Sequence, residues 1–182
     1  MNKTHSTIVA DKTDGKDRQW EIALWLAVGT IVYNLAEGVI SIIFGVGEET
    51  LALFGFGADS FIEVISAVGI AHMIGRLRKH GSERRDEFER TALRITGSAF
   101  YLLTVFLVAT AGISIFTGHE PDSTVPGIVI SGISIAFMWL LIQAKTNVGN
   151  DLNSAPILAD ANCSRVCLRM SIVLLASSAA YE

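Results

Sequence analysis

The chain has 182 residues, of which 51% are hydrophobic and only 18% are charged, and its mean hydropathy is +0.47. This composition excludes an ordinary soluble domain of that length and predicts a polytopic membrane protein, with the lipid bilayer as its surroundings. The formal net charge is only −4. Because no basic surface interleaved with aromatic residues is apparent, we expect no nucleic-acid partner.

Five apolar stretches are long enough to cross about 30 Å of hydrocarbon as helices. They lie at about residues 22–46, 51–74, 95–116, 125–144 and 155–180. The sequence therefore predicts an all-α transmembrane helix bundle over residues 20–182. Residues 1–19 scatter Lys, Asp, Thr and Gly without hydrophobic periodicity, which predicts a disordered cytoplasmic tail.

Basic residues are distributed unevenly between the predicted connections. Lys and Arg occur in the N-terminal tail and in the connection over 75–94, whereas the connections at 47–50 and 118–124 carry acidic residues and no basic ones. By the positive-inside rule, we expect the N-terminus on the cytoplasmic side of the cell (inner) membrane. The basic connection is expected to be either a helical extension of its neighbours or a solvated loop. Lys145 is expected to follow the fourth span.

Two of the predicted spans carry a pair of ionisable residues. Asp59 and Glu63 lie in the second span, and Cys163 and Cys167 lie in the fifth. A spacing of four places each pair on one helix face. A charge at membrane depth costs at least about 2.5 to 3.5 kcal/mol on insertion scales, so such residues commonly mark an ion site or pathway. Taken singly, each cysteine could instead be a small packing residue, and each carboxylate an interhelical hydrogen-bonding group.

The two pairs are predicted to lie at matching depths. The second span begins at the outer surface, so a rise of about 1.5 Å per residue places Asp59 about 12 Å and Glu63 about 18 Å below it. The fifth span begins at the cytoplasmic surface, which places Cys163 about 13 Å and Cys167 about 20 Å above that surface. Both pairs straddle the midplane, so the four side chains are predicted to form one site.

Other polar residues of the spans lie either on the opposite helix face from these pairs or where they could support the predicted site. On a helical wheel, Arg165 and Arg169 fall roughly opposite the cysteines, so neither arginine is expected to contact the thiols. Residues expected to support the site or to line a pathway, with packing as the alternative role, are Asp160, Ser60, Asn34 and Glu37.

The proposed ligands have a definite metal preference. Two carboxylates and two thiolates suit a tetrahedral dication such as Zn²⁺. Thiolates favour softer ions, so Zn²⁺, Cd²⁺ and Co²⁺ are expected before Mg²⁺, Ca²⁺ or Mn²⁺. Because metal binding to thiols and carboxylic acids releases protons, the sequence predicts exchange of metal for protons. A thiol-redox function is a further alternative, although a disulfide across one helical turn requires distorted geometry.

Two segments resemble a known transporter family. Residues 51–67, LALFGFGADSFIEVISA, resemble the second transmembrane helix of the cation diffusion facilitator (cation efflux) family, in which two acidic residues stand four apart. Residues 158–171, LADANCSRVCLRMS, resemble the family's fifth helix, in which Ala-Asp precedes two ligands four apart. The family's usual pair in that helix is His and Asp, and this chain has Cys163 and Cys167.

The resemblance implies a fold and a function. The fold would be a six-helix cation-efflux bundle whose first five spans match this chain, as a short variant without the sixth helix and the C-terminal cytoplasmic domain. The protein would be a homodimeric transporter rather than an enzyme, exporting Zn²⁺ or a similarly soft ion from the cytoplasm by proton antiport. The metal ligands would be Asp59, Glu63, Cys163 and Cys167. The alternative from the sequence is a non-transporting metal-binding or regulatory membrane protein.

Overall fold

Five α-helices make up the part of the molecule that the structure describes. The computed structural model describes residues 2–47, 51–117 and 125–180. The helices are α1 (Asn2–Gly47), α2 (Leu51–His80), α3 (Arg85–Thr117), α4 (Val125–Asp151) and α5 (Ala155–Ala180), with a short 3-10 turn at Ser82–Arg84. These ranges contain no strand, which confirms the all-α prediction. The predicted connections at 48–50 and 118–124 lie outside the described residues.

Four of the helices are long and apolar enough to cross a membrane. The qualifying segments are Gly15–Val46, Leu53–His80, Arg85–Ile113 and Gly127–Asp151. The chain is therefore an integral membrane protein. α5 has the position of the predicted fifth span but is not one of these four segments. Its apolar character is interrupted by three charged residues, which are Asp160, Arg165 and Arg169.

The helices extend into both charged segments, in agreement with one of the two alternatives for the basic connection and in contrast to the prediction for the N-terminal tail. α2 runs to His80 and α3 begins at Arg85, so the basic connection is a helical extension of both neighbours rather than a solvated loop. Gly81 ends α2 with a φ of +72°, a left-handed conformation that glycine adopts without steric cost. α1 begins at Asn2, and the helix thus includes the segment for which the sequence predicts a disordered tail. Lys and Asp side chains are compatible with a helix that extends from an apolar span.

The end of α4 corrects the predicted position of Lys145. The sequence places Lys145 after the fourth span, whereas α4 continues to Asp151 and buries the lysine, which is 2% exposed. The reason is the helical repeat: Ser134, Met138 and Lys145 lie on one buried stripe that continues past residue 144. A tight turn then reverses the chain. Asn153 adopts a φ of +47°, and the Ser154 N–H donates to the Gly149 carbonyl at 2.9 Å, as in a Schellman motif.

α2 lies at the centre of the bundle. It contacts α1, α3 and α5, while α5 also contacts α3 and α4. Glycines allow the close approach of α1 and α2, since a Cβ on Gly57 would lie 2.8 Å from Ile42 Cγ1 and 2.9 Å from the Gly38 carbonyl oxygen. Such small-residue contacts are typical of helix packing in lipid.

The interior of the bundle consists of a polar layer between two apolar clusters. One apolar cluster contains Ile70, Met73, Val148 and Ile157, and the smaller one pairs Leu53 with Phe56. Many large apolar side chains are exposed instead on the outer surface, as expected for a protein whose surroundings are lipid. The buried polar layer contains Thr30, Asn34, Glu37, Ser41, Asp59, Ser60, Glu63, Ser66, Thr96, Ser131, Ser134, Lys145, Asp160, Ser164 and Ser171.

Candidate functional site

All four predicted ligands are buried: Asp59 and Glu63 belong to the polar layer, and the two cysteines lie on the helix that faces them. Asp59 and Glu63 on α2 are 1% and 0% exposed, and Cys163 and Cys167 on α5 are 1% and 3% exposed. Each pair faces the bundle interior because a spacing of four keeps both members on one helix face. The site is therefore formed where α2 and α5 meet, away from the lipid-facing surface.

The contacts between α2 and α5 follow an antiparallel register. Cys167 interacts with Asp59, Ser164 donates a hydrogen bond to Glu63, and Ser66 donates to Asp160 at 2.7 Å. Each step of about one turn along α2 is matched by a step of about one turn in the opposite direction along α5. This register agrees with the matching depths that the sequence predicts for the two pairs.

One end of the site contains a buried cluster of charges. We call it the Lys145 cluster, and its members are Lys145, Glu63, Asp160 and Ser164. The Lys145 ammonium lies 2.8 Å from Asp160 Oδ2 and 3.7 Å from Glu63 Oε1. It also donates to the Ser164 hydroxyl at 2.9 Å, while that hydroxyl donates to Glu63. Burial of these charges is possible because each has an oppositely charged partner and additional hydrogen bonds.

The other end of the site contains a carboxylate without a hydrogen bond. Neither oxygen of Asp59 has a hydrogen-bond partner within the described residues, although Cys167 lies close enough to interact with it. Glu63 Oε2 also has no partner there. Buried polar atoms are nearly always hydrogen-bonded in proteins, so an unpaired buried carboxylate indicates a place for a proton, water or a cation.

Glu37 belongs to a separate hydrogen-bond network on α1. Its two carboxylate oxygens accept from the Tyr33 hydroxyl at 2.8 Å and from the Ser60 hydroxyl at 3.0 Å. The Tyr33 ring stacks on Phe137 at 3.7 Å between centroids. Asn34 is fully buried and donates to the Thr30 carbonyl. The residues predicted to support the site are thus buried, and Ser60 connects Glu37 to the helix that carries Asp59.

The two arginines of α5 do not join the site. Arg165 contacts Asn162 and donates to the Thr146 hydroxyl at 3.1 Å, and Arg169 is exposed. Both findings agree with the helical wheel. The cation that the structure places near the thiols is Lys145, which lies within electrostatic range of Cys163.

The four predicted ligands are thus brought together, but not as an arranged metal cage. Among the described residues, no group of three or more His, Cys, Asp and Glu side chains has an arrangement that could hold a metal ion. Both cysteines are free thiols. The metal site stays a prediction, and Glu63 shares one oxygen with the Lys145 cluster while its second oxygen has no partner among the described residues.

Lys145, Ser164 and Ser66 are the site residues that the sequence prediction missed. A signal for Lys145 was present, because it follows Met138 by seven residues on the same stripe. Ser164 follows Asp160 by four residues on one face of α5, and Ser66 follows Glu63 by three residues on one face of α2. Ser164 falls beside the cysteines on the helical wheel, but serine is common in membrane helices as a small packing residue, so neither serine was predicted as a site residue.

Comparisons with known proteins assign no family to the chain. No protein-family model, curated protein or solved structure matches it. The likeness of the α2 and α5 segments to cation efflux proteins therefore remains a resemblance of short motifs. What is shown is an integral membrane protein whose described residues form a helical bundle with a buried polar interior.

Proposed function

We propose that the protein transports a divalent metal cation, with Zn²⁺ or a similarly soft ion as substrate. The single observation that carries this proposal is the Asp59 carboxylate, which is buried, has no nitrogen or oxygen donor as a partner among the described residues and faces the Cys167 thiol. A carboxylate and a thiol side by side in a bundle interior suit a soft divalent ion. Glu63 and Cys163 lie one turn further along the two helices and complete the ligand set.

The transport cycle proposed here exchanges metal for protons. Thiols bind metal as thiolates, so an ion arriving at Cys163 and Cys167 displaces protons, and protons returning to the sulfur and carboxylate atoms favour release of the ion. In the proposed orientation the N-terminus is cytoplasmic and the membrane is the cell (inner) membrane. α5 then acts as the fifth span of a cation-efflux bundle, in a homodimer that exports the ion.

Flux measurements in liposomes test the proposal. Purified protein is reconstituted with a metal-sensitive dye inside the vesicles, a proton gradient is imposed, and Zn²⁺ or Cd²⁺ uptake is followed. We expect flux in the wild type and none in Cys163→Ser/Cys167→Ser. Arg169→Gln is the matched control, since Arg169 is an exposed residue of the same helix. Metal binding and flux that are unchanged in the double cysteine variant would show that the proposal is wrong.

A second candidate is a metal-binding or regulatory membrane protein that does not transport. The observation that favours it is the Lys145 cluster, which already pairs one oxygen of Glu63 and one of Asp160 with a cation of the protein itself. Such a cluster stabilises one arrangement of the helices, whereas transport requires at least two. Stoichiometric Cd²⁺ binding by purified protein, together with an absence of flux in the same liposomes, would favour this candidate.

A further inference from the structure

The Lys145 ammonium is the only lysine or arginine cation that the described residues place in contact with the buried carboxylates of α2 and α5. It does not bind both equally. The ammonium forms a short contact with Asp160 at 2.8 Å, and a longer one with Glu63 at 3.7 Å that the Ser164 hydroxyl bridges. Because electrostatic attraction falls with distance, Asp160 is the stronger partner and Glu63 the one that can be released.

Asp160 is also fixed independently of the lysine. Its second oxygen accepts from the Ser66 hydroxyl at 2.7 Å, and Ser66 is itself hydrogen-bonded to Thr96 of α3. Glu63, in contrast, has one oxygen without a partner among the described residues. The lysine is thus attached to a rigid acceptor and shared with a less restrained one. The four-carbon stem of lysine allows its ammonium to shift without moving the helix.

We propose that Lys145 is an internal competitor of the substrate cation: its ammonium covers Glu63 in the metal-free protein and withdraws to Asp160 when a divalent cation binds. This inference rests on the proposed function, since the ion must bind at Asp59, Glu63 and the two thiols. Lys145 is a positioning residue that controls access to Glu63 and does not contact the ion. Asp160 acts through Lys145, as the acceptor that holds the ammonium away from Glu63.

The competition has a defined signature in a double-mutant cycle, in which the affinity for Cd²⁺ is measured by isothermal titration of detergent-solubilised protein. Lys145→Met is expected to tighten binding about tenfold, equal to about 1.4 kcal/mol. Asp160→Asn is expected to weaken binding about tenfold in the wild-type background, because Lys145 then pairs with Glu63 alone. In the Lys145→Met background the same change should alter affinity less than about twofold, since coupling between contacting residues disappears with one of them.

Other variants separate this inference from nonspecific effects. Arg165→Met removes one positive charge from α5 without touching either carboxylate, and should leave the affinity unchanged. If Lys145→Met alone does not fold, Lys145→Met/Asp160→Asn removes both members of the ion pair and leaves neither of them unpaired. Its affinity is then compared with that of Asp160→Asn, and it should be at least tenfold tighter.

The possible results distinguish the inference from the proposed function. Cd²⁺ binding that requires the two cysteines, but is unchanged or weakened by Lys145→Met, overturns the competitor role alone. Equal weakening by Asp160→Asn in both backgrounds also overturns it, because Asp160 would then act on the ion directly. Absence of Cd²⁺ binding from the wild type and from every Lys145 variant overturns both ideas together.

Discussion

The two ends of the buried site differ in how their charged groups are paired within apolar surroundings. In the Lys145 cluster, an ammonium, two carboxylates and a hydroxyl are bonded to one another. At Asp59 the carboxylate has only a nearby thiol and no nitrogen or oxygen donor as a partner within the described residues. Mutual pairing makes buried charges tolerable, whereas an unpaired carboxylate is costly unless something else binds it. The first end thus holds the helices together through paired charges, whereas the second leaves a buried carboxylate without such pairing.

Removing the cation from the Lys145 cluster should give the largest loss of stability. Lys145→Met leaves the carboxylates of Asp160 and Glu63 buried without their counter-charge, and breaking a buried pair in this way costs about 3 kcal/mol or more. The free energy of unfolding can be measured by SDS titration of the detergent-solubilised protein. Arg165→Met is the control and should cost much less, because the partners of Arg165 among the described residues are Asn162 and Thr146, at the edge of the bundle. Equal losses in the free energy of unfolding for Lys145→Met and Arg165→Met would contradict the stabilising role assigned to the Lys145 cluster.

The close contact of α1 and α2 next to Asp59 should be the next most sensitive feature. A methyl group added by Gly57→Ala would meet the Gly38 carbonyl oxygen at 2.9 Å, so the helices must separate. Overpacking of this kind costs about 2 kcal/mol. Gly29→Ala on α1 is matched to it, since no described atom of a neighbouring element lies within 4 Å of the added Cβ. SDS titration that finds the two substitutions equivalent would contradict the packing described here.

The Glu37 network should contribute a smaller amount. Tyr33→Phe removes the hydroxyl that donates to Glu37 at 2.8 Å, and we expect a loss of about 1 kcal/mol in the free energy of unfolding. Tyr101→Phe provides the comparison, because Tyr101 is 79% exposed and its hydroxyl removal should change little. A loss at Tyr33 no larger than that at Tyr101 would show that Glu37 is satisfied in another way.

Asp59 should show the smallest effect on stability and a large effect on binding. Asp59→Asn removes a charge that has no hydrogen bond among the described residues, so the free energy of unfolding should change by less than about 1 kcal/mol or increase. Cd²⁺ affinity of the same variant should fall at least tenfold. Asp86→Asn is an exposed control for both measurements. A destabilised variant with unchanged Cd²⁺ affinity would mean that Asp59 is a structural residue.

Hydrophobic runs and helical spacing predicted most of the fold. Long apolar segments give the helices, and a spacing of four correctly placed Asp59 with Glu63, and Cys163 with Cys167, on buried faces. The end of α4 was missed because a lysine normally ends an apolar run at the membrane surface. Its burial depends on Asp160, which lies on the next helix and meets Lys145 only after the chain has reversed.

The partners within the site could not be predicted from spacing alone. The helical period predicts which side chains share a face, but it does not predict which carboxylate forms an ion pair with a given cation. That choice depends on hydroxyl groups such as Ser164 and Ser66, whose spacing resembles that of ordinary packing residues. The contact between Cys167 and Asp59 agrees with the predicted depths of the two pairs. Those depths come from the same rise per residue along two antiparallel helices.

The turn between α4 and α5 determines which way the site residues of α5 face. The Schellman geometry at Asn153 fixes where α5 begins. The Arg85 guanidinium stabilises this turn by donating to the carbonyls of Leu152 and Asn153 at 2.9 and 3.0 Å. One extra residue inserted within α5 just after this turn would rotate the rest of the helix by roughly 100° about its axis. Asp160 would then turn away from Lys145, and both cysteines away from α2, although no residue of the site had been changed.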